Sequence, residues 1–138
     1  MKLGFLTACL PTWSLDDVAR CASRTGFEAL EVAAWPDLGD RPFTATHLRA
    51  EAFGPAQADE VCALFDRHGL TLSSLAYYDN NLHSDPNERQ AVNDQLRACI
   101  KAAALVGAPT VGTFIDRDPG KTITDNLRDA EKIFPPLV

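Results

Sequence analysis

Three segments of the chain repeat one order: the end of a helical pattern, a glycine, then a strand pattern. They read "RTGFEALEVAAW", "RHGLTLSSLAYY" and "LVGAPTVGTFI". Gly26, Gly69 and Gly107 suit the left-handed position just past a helix, where a side chain would clash. Their spacings, 43 residues (26 to 69) and 38 residues (69 to 107), match one strand-plus-helix unit with its loops. "LGFLTACL" near the start supplies a first strand without a preceding helix. Alternation of this kind confines the chain to a parallel sheet with right-handed crossovers.

The helices carry their own start signals. Ser14 is placed to cap the first, with Asp17 three residues on near its positive end. Leu15, Val18, Ala19 and Ala22 then form one apolar stripe, and Ala58, Val61, Cys62 and Phe65 form the same stripe on a second helix. "SDPNERQ" opens a third, with Asp85 as cap, Pro86 in the first turn and Glu88 three on. Val92, Leu96, Cys99 and Ala103 turn that helix inward. Thr122 and Asp125 repeat the cap pattern before a fourth helix that runs to about Phe134.

The order is β-α-β-α-β-α-β-α. Two architectures satisfy it: an open doubly wound sheet, or the first four units of a TIM (β/α)8 barrel. Glu31, Ser73 and Ser74 lie inside strand patterns. A strand covered by helices on both faces should be nearly all apolar, whereas a barrel strand can turn polar groups into the lumen. The loops agree with the barrel. Long connections follow the second, third and fourth strands ("WPDLGDRPFTATHLRAEAFGPAQ", "DNNLHSDP", "DRDPGKT"), and minimal turns join helix to strand at the other end. A barrel collects its strand-to-helix loops on one face, the face that carries chemistry.

"FIDRDPGKTI" ends in the Gly-Lys-Thr of a phosphate-binding loop. The full pattern needs a glycine where Ile115 stands, and Pro119 lacks an N–H. The stretch reads as a loop leading to the Thr122 cap. Arg117 and Lys121 either meet an anionic substrate at the mouth or belong to a solvated mixed-charge loop with Asp116 and Asp118.

The 138 residues suffice for one domain, taken as 1–138. A net charge of −6 argues against phosphate-backbone binding, so no nucleic-acid partner is expected. No apolar run approaches membrane-spanning length, and Met1-Lys2-Leu3 leads into a strand without a cleavage-site pattern. Cys9, Cys21, Cys62 and Cys99 are widely spaced and form no CxxC pair. They read as reduced thiols, three of them on helix stripes, in a cytoplasmic protein. Cys9 closes the first strand and reads as pocket wall.

"EALEVAAWP", "LSSLAYYDNNLHSDP" and "TVGTFIDRDPGKTITDNL" followed by "FPPLV" resemble the xylose-isomerase-like TIM barrels. This is the sugar phosphate isomerase/epimerase group, which shares its fold with the family 2 apurinic endonucleases. The resemblance implies a metal-dependent isomerase or epimerase of a sugar or sugar phosphate. Proton transfer would pass through an enediolate held by a divalent metal (Mn, Mg, Co or Zn). In the family the metal sits on Glu, Asp, His and Glu from strands five to eight, so none of the four maps onto this chain. This chain alone is therefore expected to bind no metal and to be inactive. The endonuclease branch uses histidines at the ends of strands three and four, where this chain has Tyr77-Tyr78 and Thr113-Phe114.

Four strands cannot close a barrel. The chain is expected either to be part of a longer protein with a C-terminal half or to pair as a homo-oligomer. A non-catalytic half-barrel binding or assembly module is the alternative to the enzyme. The candidate substrate-binding residues are Trp35, Tyr78, Asn81 and His83. Trp35 either stacks on a sugar face or packs the loop. Tyr78, Asn81 and His83 offer hydroxyl, amide and imidazole to a polyol, or serve the turn before a helix cap. Glu31 in the lumen must be hydrogen-bonded or protonated, and an orienting role is expected of it. His68, beside Gly69, suits a helix C-terminus, and His47 is given no role.

Overall fold

The computed structural model describes residues 1–37 and 45–137. Strand β1 (Gly4–Leu6) is followed by a 3-10 turn, Thr7–Cys9, and helix α1 (Leu15–Arg24). Strand β2 (Ala29–Ala33) precedes a second 3-10 turn, Ala50–Ala52, and helix α2 (Pro55–His68). Strand β3 (Thr71–Asn80), helix α3 (Pro86–Val106), strand β4 (Val111–Phe114), helix α4 (Ile123–Ile133) and a last 3-10 turn, Pro135–Leu137, complete the order. Phe43, in the long connection after β2, lies outside the described residues.

The caps explain where the helices begin. Ser14 Oγ accepts the Asp17 N–H at 3.1 Å, and Thr122 Oγ1 accepts the Asp125 N–H at 3.2 Å. Asp85 Oδ1 accepts the N–H groups of Asn87 and Glu88 at 2.7 and 3.2 Å. These bonds hold the Asp85 carboxyl below its usual pKa. The three repeated glycines explain where α1, α2 and α3 end: Gly26, Gly69 and Gly107 have φ of 87°, 65° and 69°.

The four strands form one parallel sheet in the order β1-β2-β3-β4. A doubly wound sheet would reverse its order at a switch point. Strictly sequential neighbours are the order of one side of a (β/α)8 barrel, which removes the open-sheet alternative. Leu6, Glu31 and Ser74 stand side by side in register, as do Ala33, Ala76 and Gly112. A register shift between Leu30 and Glu31 lets Ser73 Oγ–H donate to the Leu30 carbonyl at 3.0 Å.

The core joins the sheet to the helices through Val18, Ala22, Leu30, Val32, Phe65, Leu75, Leu96 and Cys99, all buried. Burial pushes the Cys99 thiol up to about 12, so it remains protonated. The other cysteines differ from the stripe reading: Cys21 is half-buried, and Cys62 is exposed at the edge of the stripe that Ala58 and Phe65 fill. Cys9 is exposed on the turn after β1. His68 Nε2 lies 3.1 Å from Asp16 of α1, an ion-pair partner more specific than the expected helix dipole.

Candidate functional site

A strand sends alternate side chains to opposite faces, so the register fixes what meets above the sheet. At the C-terminal half of the sheet Glu31, Tyr78 and Gly112 converge. The Tyr78 hydroxyl donates to Glu31 Oε1 at 2.8 Å, across 47 residues of sequence. Gly112 makes room for the pair: a Cβ there would lie 2.3 Å from Tyr78 Oη and 2.8 Å from Glu31 Oε1. Glycine inside a strand marks such a close approach.

Aromatic rings flank the pair. Tyr78 lies 6.0 Å from the Trp35 ring and 4.9 Å from the Phe114 ring. Phe114 is 53% exposed. Trp35 is buried, with Tyr77 at 6.3 Å on another side. The chain folds back over the end of β2 to cover it. Thr46 Oγ1–H donates to the Trp35 carbonyl at 2.7 Å, and the N–H groups of His47 and Leu48 bond the Ala33 carbonyl. Trp35 thus backs the Tyr78 ring, and Phe114 presents an aromatic surface to solvent.

Glu31 is half-buried, as is Tyr78. Burial, and after it the Glu31 hydrogen bond, pushes the Tyr78 hydroxyl up to about 12. The hydroxyl is therefore a donor at neutral pH, and the Glu31 carboxylate has the hydrogen bond that its position demands.

The other two sequence candidates sit elsewhere. Asn81 is fully buried, and its Nδ2 donates to Thr113 Oγ1 at 2.9 Å and to the Phe114 carbonyl, tying the β3–α3 loop to the end of β4. His83 Nδ1 accepts the Asp85 N–H at 3.1 Å and so supports the start of α3. The structure joins Trp35 and Tyr78 in one cluster, spends the Asn81 amide on the end of β4, and leaves His83 a contact within the loop. Phe114 and Gly112 are additions that strand pairing reveals. The signal in the sequence was a glycine within a strand run, followed two residues later by an aromatic.

The Gly-Lys-Thr stretch is an Asp turn. Asp118 Oδ1 accepts the Gly120 N–H at 2.9 Å, and Lys121 Nζ bonds Asp129 at 2.7 Å. His47 Nε2 lies 3.1 Å from the Trp13 carbonyl, and burial lowers its pKa. Among the described residues no three His, Cys, Asp or Glu side chains gather as a metal site would require. The described residues do not fit a divalent metal. Among the described residues no helix is long and apolar enough to cross a membrane.

The sequence matches the family described as "Xylose isomerase-like TIM barrel" over residues 19–134. No curated protein matches the sequence. Solved structures share its fold. D-psicose 3-epimerase from Clostridium cellulolyticum H10, crystallised with D-tagatose, aligns with a TM-score of 0.62 at 18% identity over 99% of this chain and 50% of its own. The probable 3-DHS dehydratase AsbF from Bacillus anthracis aligns at 0.63 with 17% identity, over 99% and 48%. The IOLI protein with a binding zinc atom aligns at 0.69 with 14% identity, over 99% and 46%. The chain spans about half the length of the solved structures it matches.

Proposed function

Because the chain belongs to the family of xylose isomerase-like TIM barrels, we propose that it supplies the substrate wall of a sugar or sugar-phosphate isomerase or epimerase. Similarity to D-psicose 3-epimerase and to a 3-keto-D-glucoside 4-epimerase from E. coli supports sugar chemistry by proton transfer beside a carbonyl. In this reading the groups that hold the metal and move the proton come from outside the described residues. The residues present bind and orient. Glu31 and Tyr78 offer an acceptor and a donor, and Phe114 offers a ring surface to the C–H face of a sugar. Four unpaired thiols suit the cytoplasm as the place of action.

The observation that carries this reading is the Glu31–Tyr78 bond over Gly112, which joins the middle of β2 to the C-terminal part of β3. Barrels of this kind place their chemistry at the C-terminal ends of the strands. The test uses Trp35 as reporter. In the Trp13→Phe variant Trp35 is the remaining tryptophan, and it lies 6.0 Å from Tyr78. D-fructose or another ketose should change its emission saturably, and glycerol at equal concentration should not. If no ketose, neutral or phosphorylated, changes the emission, the reading falls.

A second reading rests on a different observation. β1 and β4 are the outer strands, and Phe114, Ile115, Ile123 and Leu127, beside β4 and on α4, are each at least half exposed. Unpaired strand edges and an apolar flank of this size suit assembly with another half-barrel.

A further inference from the structure

Resting on the isomerase or epimerase reading, we infer that the Glu31–Tyr78 pair selects a neutral ketose over a phosphorylated one, with Glu31 accepting two hydroxyl groups of the sugar. The charges around the pair decide this. Glu31 places a carboxylate on the sheet face from the middle of β2, and among the described residues no ion pair reaches it. Tyr78 occupies Oε1, and among the described residues Oε2 has no protein donor. A carboxylate with a free oxygen accepts hydroxyl hydrogens strongly and repels a phosphate.

Among the described residues, Lys121, Arg89 and Arg49 are committed elsewhere. Lys121 bonds Asp129 and lies 3.8 Å from Asp118. Arg89 donates to the His83 carbonyl at 2.7 Å, and Arg49 pairs with Asp37 at 2.7 Å. Arg117 lines a groove with Ile123 and Leu127 on the α4 side. The start of α3, a natural seat for a phosphate, already holds the Asp85 carboxylate. A polyol meets complementary groups at this face: a charged acceptor in Glu31, a neutral donor in Tyr78 and an apolar ring in Phe114. Gly112 leaves room for the pair itself.

The test measures binding of D-fructose and D-fructose 6-phosphate to the full chain by Trp35 emission, in the parent Trp13→Phe protein and with Glu31→Gln or Tyr78→Phe added. Glu31→Gln keeps the shape and can still accept the Tyr78 hydrogen, so circular dichroism should be unchanged. The neutral ketose should bind at least about tenfold more tightly than its phosphate, and Glu31→Gln should weaken it about tenfold or more. Tyr78→Phe should weaken it less. Equal or tighter binding of the phosphate, or an unchanged affinity in Glu31→Gln, overturns the inference and leaves the enzyme reading standing. Silence toward both sugars overturns the enzyme reading itself, and this inference with it.

Discussion

Tyr78 concentrates the residue-scale argument. Its hydroxyl is held by Glu31, and burial together with that bond raises its pKa to about 12. The unfolded chain would ionise it near 10. A raised folded value means that the folded state keeps the proton longer. The pair's contribution to stability is therefore complete below about pH 10 and is lost as pH rises toward 12. An alkaline titration followed at the phenolate absorbance should show a Tyr78 step near 12. That step should vanish in Tyr78→Phe and move to lower pH in Glu31→Gln, where the neighbouring charge is gone. A Tyr78 step near 10 in the parent protein would show that the pair does not exist in solution. Glu31 inside a strand pattern already announced a lumen-facing group, because a strand between two helix layers does not tolerate it. Its partner was hidden. Tyr78 is 47 residues away, and which strand residues meet depends on a register shift after Leu30 that no local signal marks. Asn81 shows the same limit from the other side. Its type suits a polyol or a turn equally, and only the position of β4 decides that its amide is spent on Thr113 and Phe114.

At the scale of elements, caps and glycines carry the information. Ser14, Asp85 and Thr122 open helices, and Gly26, Gly69 and Gly107 follow their ends with positive φ, so those boundaries are local chemistry. How each helix packs is less local, and α4 is the case in point. Its buried residue is polar: Asn126 Oδ1 accepts the Asp118 N–H at 2.7 Å, and its Nδ2 donates to the carbonyls of Asp118 and Thr122. The helix is thus anchored by the loop before it, while Ile123 and Leu127 stay 69% and 55% exposed. If this flank is where another half-barrel docks, the double variant Ile123→Glu, Leu127→Glu should leave the unfolding free energy of the unassociated chain in urea nearly unchanged, within about 0.5 kcal/mol. It should also reduce association in sedimentation experiments on the parent protein. A loss of several kcal/mol, or association that persists, would mean that the flank does not serve assembly.

For the whole molecule, sheet order is the decisive fact. Sequential parallel strands with loops gathered at one end make one side of a barrel, and the fold match covers nearly all of this chain and about half of each barrel compared. Apolar grooves elsewhere do not compete for the chemistry. One of about 390 Å³ lies between α3, β4 and the last turn, lined by Leu96, Ile100, Val111 and Phe134. Neither Glu31 nor Tyr78 lines it, and its polar side chains are Thr110 and Thr113 alone, with no charged group to orient a sugar. The molecule therefore has one working face, the side of the sheet where Glu31, Tyr78 and Phe114 meet. The most direct measurement is a backbone amide map of the chain titrated with D-fructose. The shifts should saturate and cluster at residues 31–35, 76–80 and 111–115. Shifts confined to the helices, or none at saturating sugar, would contradict it.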